Sequence, residues 1–172
     1  MRHLRTVCVF ALGVAVGVVA LAKKPFDTSI FIGKPAKEAA LALLEAAKVQ
    51  AGKGSWENLA VARVYYLMGD KAAAQTIIDA VTAGKMAEED WMRLGAIYRE
   101  AREWDKAADA FTKALDKDPK DAENLAKVGA FYNLRGDRAR AEELFQRAFA
   151  AKPDELWVTV DVAASYAGVR PQ

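Results

Sequence analysis

The chain has 172 residues, of which 53% are hydrophobic and 28% are charged, with a formal net charge of +2. These values are ordinary for a globular protein and exclude a disordered or collagen-like chain. Because Cys8 is the only cysteine, no internal disulfide bond can hold the fold together.

The first 22 residues have the pattern of a targeting segment. A short basic start is followed by an uncharged apolar run over residues 7–22, which as a helix is about 24 Å long, less than the roughly 30 Å of a bilayer core. The run ends on an Ala-Leu-Ala pattern that a signal peptidase accepts, but two lysines that disfavour cleavage follow at once. We interpret residues 1–22 as a signal peptide or a membrane anchor, with a buried cytosolic helix as the third alternative.

The first two alternatives both place residues 23–172 outside the cytoplasm, and the composition of these residues differs from that of the full chain. Residues 23–172 contain 23 basic and 23 acidic side chains, so their formal net charge is zero. This balance argues against nucleic acid as a partner, because such binding depends on neutralised phosphates. The leader also holds the only Cys and the only His. The exported part therefore has no thiol nucleophile, no imidazole base and no Cys or His metal ligand.

Residues 23–34 form an extended apolar segment without helical periodicity. We expect this segment to pack against the following helix near Leu41 and Leu44. The alternative is that residues 25–33 occupy the groove of their own or a neighbouring molecule, as a competitor of the partner or as a dimer strap. The large apolar side chains that require one of these contacts are Phe26, Ile30, Phe31 and Ile32.

A pattern of apolar and small residues recurs every 34 residues in the second half of the chain, which indicates a repeat architecture. Residues 55–87 carry a more divergent copy, and residues 156–172 carry the first half of another. Each copy predicts two helices joined by a tight turn, as at Gly69 and Gly136. The matching positions are Trp91, Leu94, Gly95, Tyr98, Ala107, Phe111, Ala114 and Pro119, followed by Leu125, Val128, Gly129, Tyr132, Ala141, Phe145, Ala148 and Pro153.

These positions resemble the tetratricopeptide repeat family, whose pattern is met most completely in residues 88–121. The resemblance implies an all-α superhelix, or solenoid, in which helix pairs stack because one pair cannot bury its apolar face alone. Three helix-turn-helix repeats are expected, over residues 55–87, 88–121 and 122–155. An N-terminal capping helix is expected over residues 35–54. A C-terminal capping helix and the tail of the chain are expected over residues 156–172.

The resemblance also implies that the first helix of each repeat lines a concave groove that binds a protein or peptide partner. Aromatic and Arg side chains on this face are the types that carry most binding energy at interfaces. For Trp56 and Trp157 the alternative is that they only seal the ends of the solenoid. Leu59 and Arg63 replace the Lys and Asn of members that bind chaperone tails, which argues against that ligand. The predicted groove residues are Trp56, Leu59, Arg63, Tyr66, Met92, Arg99, Asn133 and Trp157.

The only groups suited to acid–base chemistry are clusters of acidic residues, such as Glu88 to Asp90. The run from Asp116 to Asp121 lacks the glycine and terminal glutamate of a calcium loop. No glycine-rich phosphate loop or nucleotide fingerprint is present. We therefore predict no catalytic residues, no cofactor and no metal site.

Together these observations predict an exported, periplasmic or membrane-anchored, non-enzymatic protein that mediates protein–protein interaction through its groove. It would act as an adaptor, a scaffold or an assembly factor in the cell envelope. Two alternatives remain: a carrier that sequesters an apolar ligand or peptide, and a constitutive subunit of a larger membrane complex. The sequence leaves the oligomeric state open.

Overall fold

A computed structural model describes residues 25–170, which contain eight α-helices, one short 3₁₀ turn at Thr28–Ile30 and no β-strand. The predicted signal peptide or anchor, residues 1–22, lies outside the described residues. Within them, no helix has both the length and the apolar character needed to cross a membrane. The helices are α1 (Ala36–Ala51), α2 (Ser55–Leu67), α3 (Lys71–Thr82), α4 (Glu88–Glu100), α5 (Trp104–Lys117), α6 (Ala122–Leu134), α7 (Arg138–Ala151) and α8 (Leu156–Tyr166).

The helices pack in consecutive pairs. Helices α2 and α3, α4 and α5, and α6 and α7 form three closely packed hairpins, while α8 packs on α6 and α1 packs on α2. The predicted all-α solenoid of three helix-turn-helix repeats between two end helices is therefore confirmed.

Glycines on the first helices allow the pairs to approach closely. A Cβ atom on Gly95 would lie 2.5 Å from two ring atoms of Phe111, and one on Gly129 would lie 2.5 Å from Phe145. Both phenylalanines are buried in the core, at 2% and 4% exposure. The repeated Gly and Phe positions of the sequence are thus the contacts that join the two helices of a repeat.

The turns inside the second and third repeats share one backbone geometry. In the third repeat, Gly136 has a φ of 87°, and the amides of Gly136 and Asp137 donate to carbonyl oxygens in the last turn of α6. The second repeat forms the same two bonds with Arg102, which has a φ of 60°, in the glycine position. This is the Schellman ending of a helix, which normally requires glycine.

The segment before α1 does not enter the molecule's own groove. The 3₁₀ turn at Thr28–Ile30 packs against α1, as the first of the two sequence alternatives expects. Residues 25–33 line none of the three cavities described below. The hypothesis that they occupy their own groove is therefore wrong, because the chain turns back onto α1 before it can reach the first helices of the repeats.

Candidate protein-binding groove

Three adjoining cavities of about 360, 460 and 530 Å³ lie along the face built from the first helices of the repeats. The first and second share Lys127, the first and third share Arg99, and the second and third share Arg170. The cavities therefore form one continuous surface, which we call the groove.

The first cavity brings together three of the predicted groove residues: Trp56 of α2 and Met92 and Arg99 of α4. Asn124 and Lys127 of α6 form the opposite side. Helices α4 and α6 pack less closely than α2 and α4 or α6 and α8. The cavity occupies the gap that this spacing leaves.

Two predicted tryptophans are exposed on the groove. Trp56 is 50% exposed, and the guanidinium carbon of Arg93 lies 3.7 Å from the centre of its ring. Such stacking holds an aromatic face and a cation together at the surface. Trp157 is 57% exposed and lines the second cavity with Val160. Both side chains therefore present apolar surface to the groove, in addition to their position near the ends of the solenoid.

Arg63 and Asn133 lie near the groove but line none of its three cavities. The Arg63 guanidinium forms an ion pair with Glu100 across α2 and α4. The Asn133 amide nitrogen donates a hydrogen bond to the Ser165 hydroxyl at 3.1 Å, which joins α6 to α8. Both side chains therefore connect neighbouring helices, and their predicted contact with a partner stays a prediction.

The prediction that Leu59 and Tyr66 are exposed in the groove is wrong. Leu59 is 0% exposed and Tyr66 is 3% exposed. The ring of Tyr66 is buried, and its hydroxyl donates a 2.6 Å hydrogen bond to the Glu103 carboxylate. Leu59 occupies the same repeat position as Met92, but α2 and α4 pack closely there, whereas α6 stands away from α4.

Residues 88–121 match the family model of the tetratricopeptide repeat. These are the residues of α4, α5 and the loop that follows, and within this range the first cavity is lined by α4 and by Phe111 of α5. This stretch therefore has the sequence of one tetratricopeptide repeat. No curated protein is similar enough in sequence to give a significant match.

The solved structures with a similar fold include two of MamA. A crystal structure of MamA is 19% identical with a TM-score of 0.53, and the match covers 77% of each chain. A second crystal structure of MamA is also 19% identical, with a TM-score of 0.52, and covers 77% of this chain and 72% of the other. At this identity the likeness shows the fold alone.

The groove contains two half-buried arginines whose Nε atoms have unused hydrogen-bonding capacity. Within residues 25–170, the Nε atoms of Arg93 and Arg99 are buried and have no hydrogen-bond partner. Burial lowers the pKa of both side chains, and the neighbouring Arg63 and Arg170 lower it further for Arg93 and Arg99 respectively. A buried donor without an acceptor is unfavourable. An oxygen acceptor from a bound peptide would satisfy it.

Sequence reasoning missed Arg93 and Lys127, which line the first cavity. Arg93 directly follows the predicted groove residue Met92, and Lys127 lies at the equivalent place in the third repeat, so the groove face of these helices is wider than the sequence prediction. A signal was present, because the two basic residues stand 34 positions apart at equivalent places in the second and third repeats.

A cluster of carboxylates lies outside the groove. One oxygen each of Glu88, Asp118 and Asp121 lies within 4.8 Å of the others. Burial raises the pKa of the Glu88 carboxyl, and the charges of Asp121 and Asp118 raise it further. The amide of Asn124 contacts the Glu88 carboxylate. This contact joins the start of α4 to the start of α6.

Proposed function

We propose that this protein is a non-enzymatic adaptor that works outside the cytoplasm and binds a peptide segment of a protein partner in its groove. One observation carries the proposal: exposed Trp56 and half-buried Met92 line the same cavity as Arg93 and Arg99, whose buried Nε atoms have no partner in the described part of the chain. A peptide supplies both the apolar side chains and the backbone carbonyl oxygens that these groups require.

The same observation makes a carrier of apolar ligands the weaker alternative. A lipid tail or other apolar molecule would cover the Arg93 and Arg99 Nε atoms without supplying an acceptor. Leaving such donors buried costs about 1–3 kcal/mol each. A peptide avoids that cost because every residue brings a carbonyl oxygen.

The test is in-cell crosslinking and affinity purification of the tagged full-length protein from its own host. A Trp56→Ser/Met92→Glu variant changes two side chains that line the groove, of which Met92 also packs against the edge of the core. Gln146→Glu, at an exposed site on the outer helix α7, is the matched control. The groove variant should lose partners that the native protein and the control both capture, while circular dichroism shows that all three are folded.

Identical capture by the groove variant and the native protein would contradict the proposal and place the interface elsewhere. If a partner protein copurifies at a constant stoichiometric ratio even at high salt, the constitutive-subunit alternative is favoured instead. A small molecule that native mass spectrometry finds bound, with no protein partner, would favour the carrier.

Export is proposed from the sequence of residues 1–22 and needs its own test. Alkaline phosphatase joined after residue 172 should be active in intact cells, because that enzyme folds only where its disulfides can form. An inactive fusion of normal abundance would contradict export. The mass of the purified chain then distinguishes a signal peptide, with a first residue near Lys23, from an uncleaved anchor.

A further inference from the structure

The third cavity of the groove concentrates positive charge. It has a volume of about 530 Å³ and adjoins the first cavity through Arg99. Trp104, Phe131 and Leu134 form its apolar part, and the Arg135 guanidinium carbon lies 5.1 Å from the centre of the Trp104 ring. We call it the arginine cavity, after the four basic side chains that line it: Arg99, Arg102, Arg135 and Arg170.

These arginines have no carboxylate partner in the described part of the chain. None of the four forms an ion pair within residues 25–170. Glu100 is the one acidic residue that lines the arginine cavity, and its carboxylate is held by Arg63 from α2.

Overall composition does not explain this charge. Four of the 25 basic side chains precede residue 25, so 21 basic side chains remain in residues 25–170 against 23 acidic ones. The described part of the chain is therefore slightly acidic, while one cavity in it is lined by four arginines.

The backbone of Arg102 points to selection for its side chain. The first and third repeats have glycine at this turn position, Gly69 and Gly136, with φ values of 97° and 87°. The second repeat holds Arg102 in the same left-handed region, at 60°, where side chains other than glycine are unfavourable. Backbone strain of this kind persists where the side chain has a function.

We propose that the arginine cavity binds acidic side chains of the peptide segment that occupies the groove. This inference rests on the proposed function and names the chemistry of the partner: a segment that carries Asp or Glu next to the residues that contact Trp56 and Met92. Guanidinium groups suit this ligand because their planar array of donors matches the two oxygens of a carboxylate. The continuity of the cavities through Arg99 lets one peptide reach both sites.

The experiment measures binding of a fluorescein-labelled hexaglutamate peptide to the full-length protein by fluorescence anisotropy. Hexaglutamine with the same label is the uncharged control. Arg102→Gly and Arg135→Gln each remove one charge from the cavity, and Arg147→Gln removes one from the outer helix α7. Hexaglutamate should bind and hexaglutamine should not. The two cavity variants should each weaken hexaglutamate binding by about threefold or more, while Arg147→Gln leaves it unchanged.

Arg102→Gly separates binding from folding, because it installs the residue that the neighbouring repeats use. A variant that is at least as stable as the native protein but binds hexaglutamate less well supports the inference. Equal weakening by Arg147→Gln would overturn it, since the effect would then be one of net charge. Binding of inorganic phosphate and of phosphatidylglycerol vesicles is measured for the same variants. If either of them binds through Arg102 and hexaglutamate does not, the inference is overturned, and the cavity is a phosphate or membrane site.

Failure of this inference is distinguishable from failure of the proposed function. If hexaglutamate does not bind but the natural partner is still lost from the Trp56→Ser/Met92→Glu variant, the groove binds a protein without acidic side chains. If that variant keeps its partners, the groove itself is not the interface.

Discussion

At the residue scale, Arg102 shows how one side chain departs from the rule that its neighbours follow. A left-handed backbone costs a residue with a Cβ atom about 1 kcal/mol relative to glycine. Nothing lies within 4 Å of a Cβ atom built on the equivalent Gly136. The cost at this turn position is therefore one of backbone conformation alone, without a steric clash with neighbouring helices.

Exchanging the two residues tests this cost in both directions. Arg102→Gly should raise the free energy of unfolding by about 0.5–1 kcal/mol, and Gly136→Arg should lower it by about 1 kcal/mol. Urea denaturation followed by circular dichroism measures both values. If Arg102→Gly destabilises the protein, the arginine side chain contributes to folding, and the functional explanation of its strain is wrong.

Residue-level prediction from the sequence succeeded where a side chain's environment is set within one repeat. The prediction of groove-lining residues from helical spacing agrees with the structure at Trp56, Met92 and Arg99, whose contact with a partner stays a prediction. It failed at Leu59, whose burial depends on the distance between α2 and α4. That distance arises from the stacking of whole repeats, which periodicity in the sequence does not specify.

At the scale of the elements, contact between the two helices of a repeat depends on glycine. Gly95→Ala should lower the free energy of unfolding by up to about 2 kcal/mol, because the added Cβ would overlap the Phe111 ring. Overpacking typically costs 1–3 kcal/mol, whereas the gain in helix propensity is about 1 kcal/mol, so the clash is expected to decide the result.

The matched control for Gly95→Ala is an alanine at an exposed helix position, Thr112→Ala, which should raise stability by about 0.5 kcal/mol through helix propensity alone. Adding Phe111→Leu to Gly95→Ala should recover part of the loss, because the smaller side chain makes room for the methyl group. Thermal denaturation of the native protein and the three variants measures these differences in stability. A Gly95→Ala protein as stable as the native one would show that α4 and α5 can shift apart without cost.

Glu103 joins three helices at the turn between α4 and α5. It accepts a hydrogen bond from the Tyr66 hydroxyl of α2 at 2.6 Å and one from Lys106 of α5 at 2.7 Å, and it also pairs with Lys71 of α3. The hydrogen bonds from Lys106, Lys71 and Tyr66 lower the pKa of the Glu103 carboxyl from 4.5 to about 2. The charged form is therefore favoured in the folded protein.

The pH dependence of stability follows from that shift. Because the folded pKa lies below the unfolded one, Glu103 stabilises the fold fully above about pH 5 and loses this contribution as the pH falls towards 2. Glu103→Gln removes the titration. The difference in free energy of unfolding between native protein and variant should be largest at neutral pH and shrink between pH 4.5 and 2. A difference that is constant across this range would contradict the pKa shift.

At the scale of the whole molecule, the 34-residue period was sufficient to predict the fold, because each repeat contacts its neighbours in sequence. The strength of each contact was not predictable in this way. Helix α1 packs on α2 much less extensively than the paired helices pack on each other, and Val49 on α1 is 83% exposed. The periodic pattern of the sequence indicated only that α1 occupies the position of the second helix of a preceding repeat.

The weak packing of α1 predicts that the solenoid opens from its N-terminal end. Native-state hydrogen exchange should show that the amides of α1 open at a lower free energy than those of α6, which packs closely against both α7 and α8. Leu44→Ala removes the one buried side chain of α1. It should accelerate exchange in α1 and in the facing part of α2 while leaving α6 and α7 unchanged. Equal protection of α1 and α6, lost together in the variant, would instead show that the helices open as a single cooperative unit.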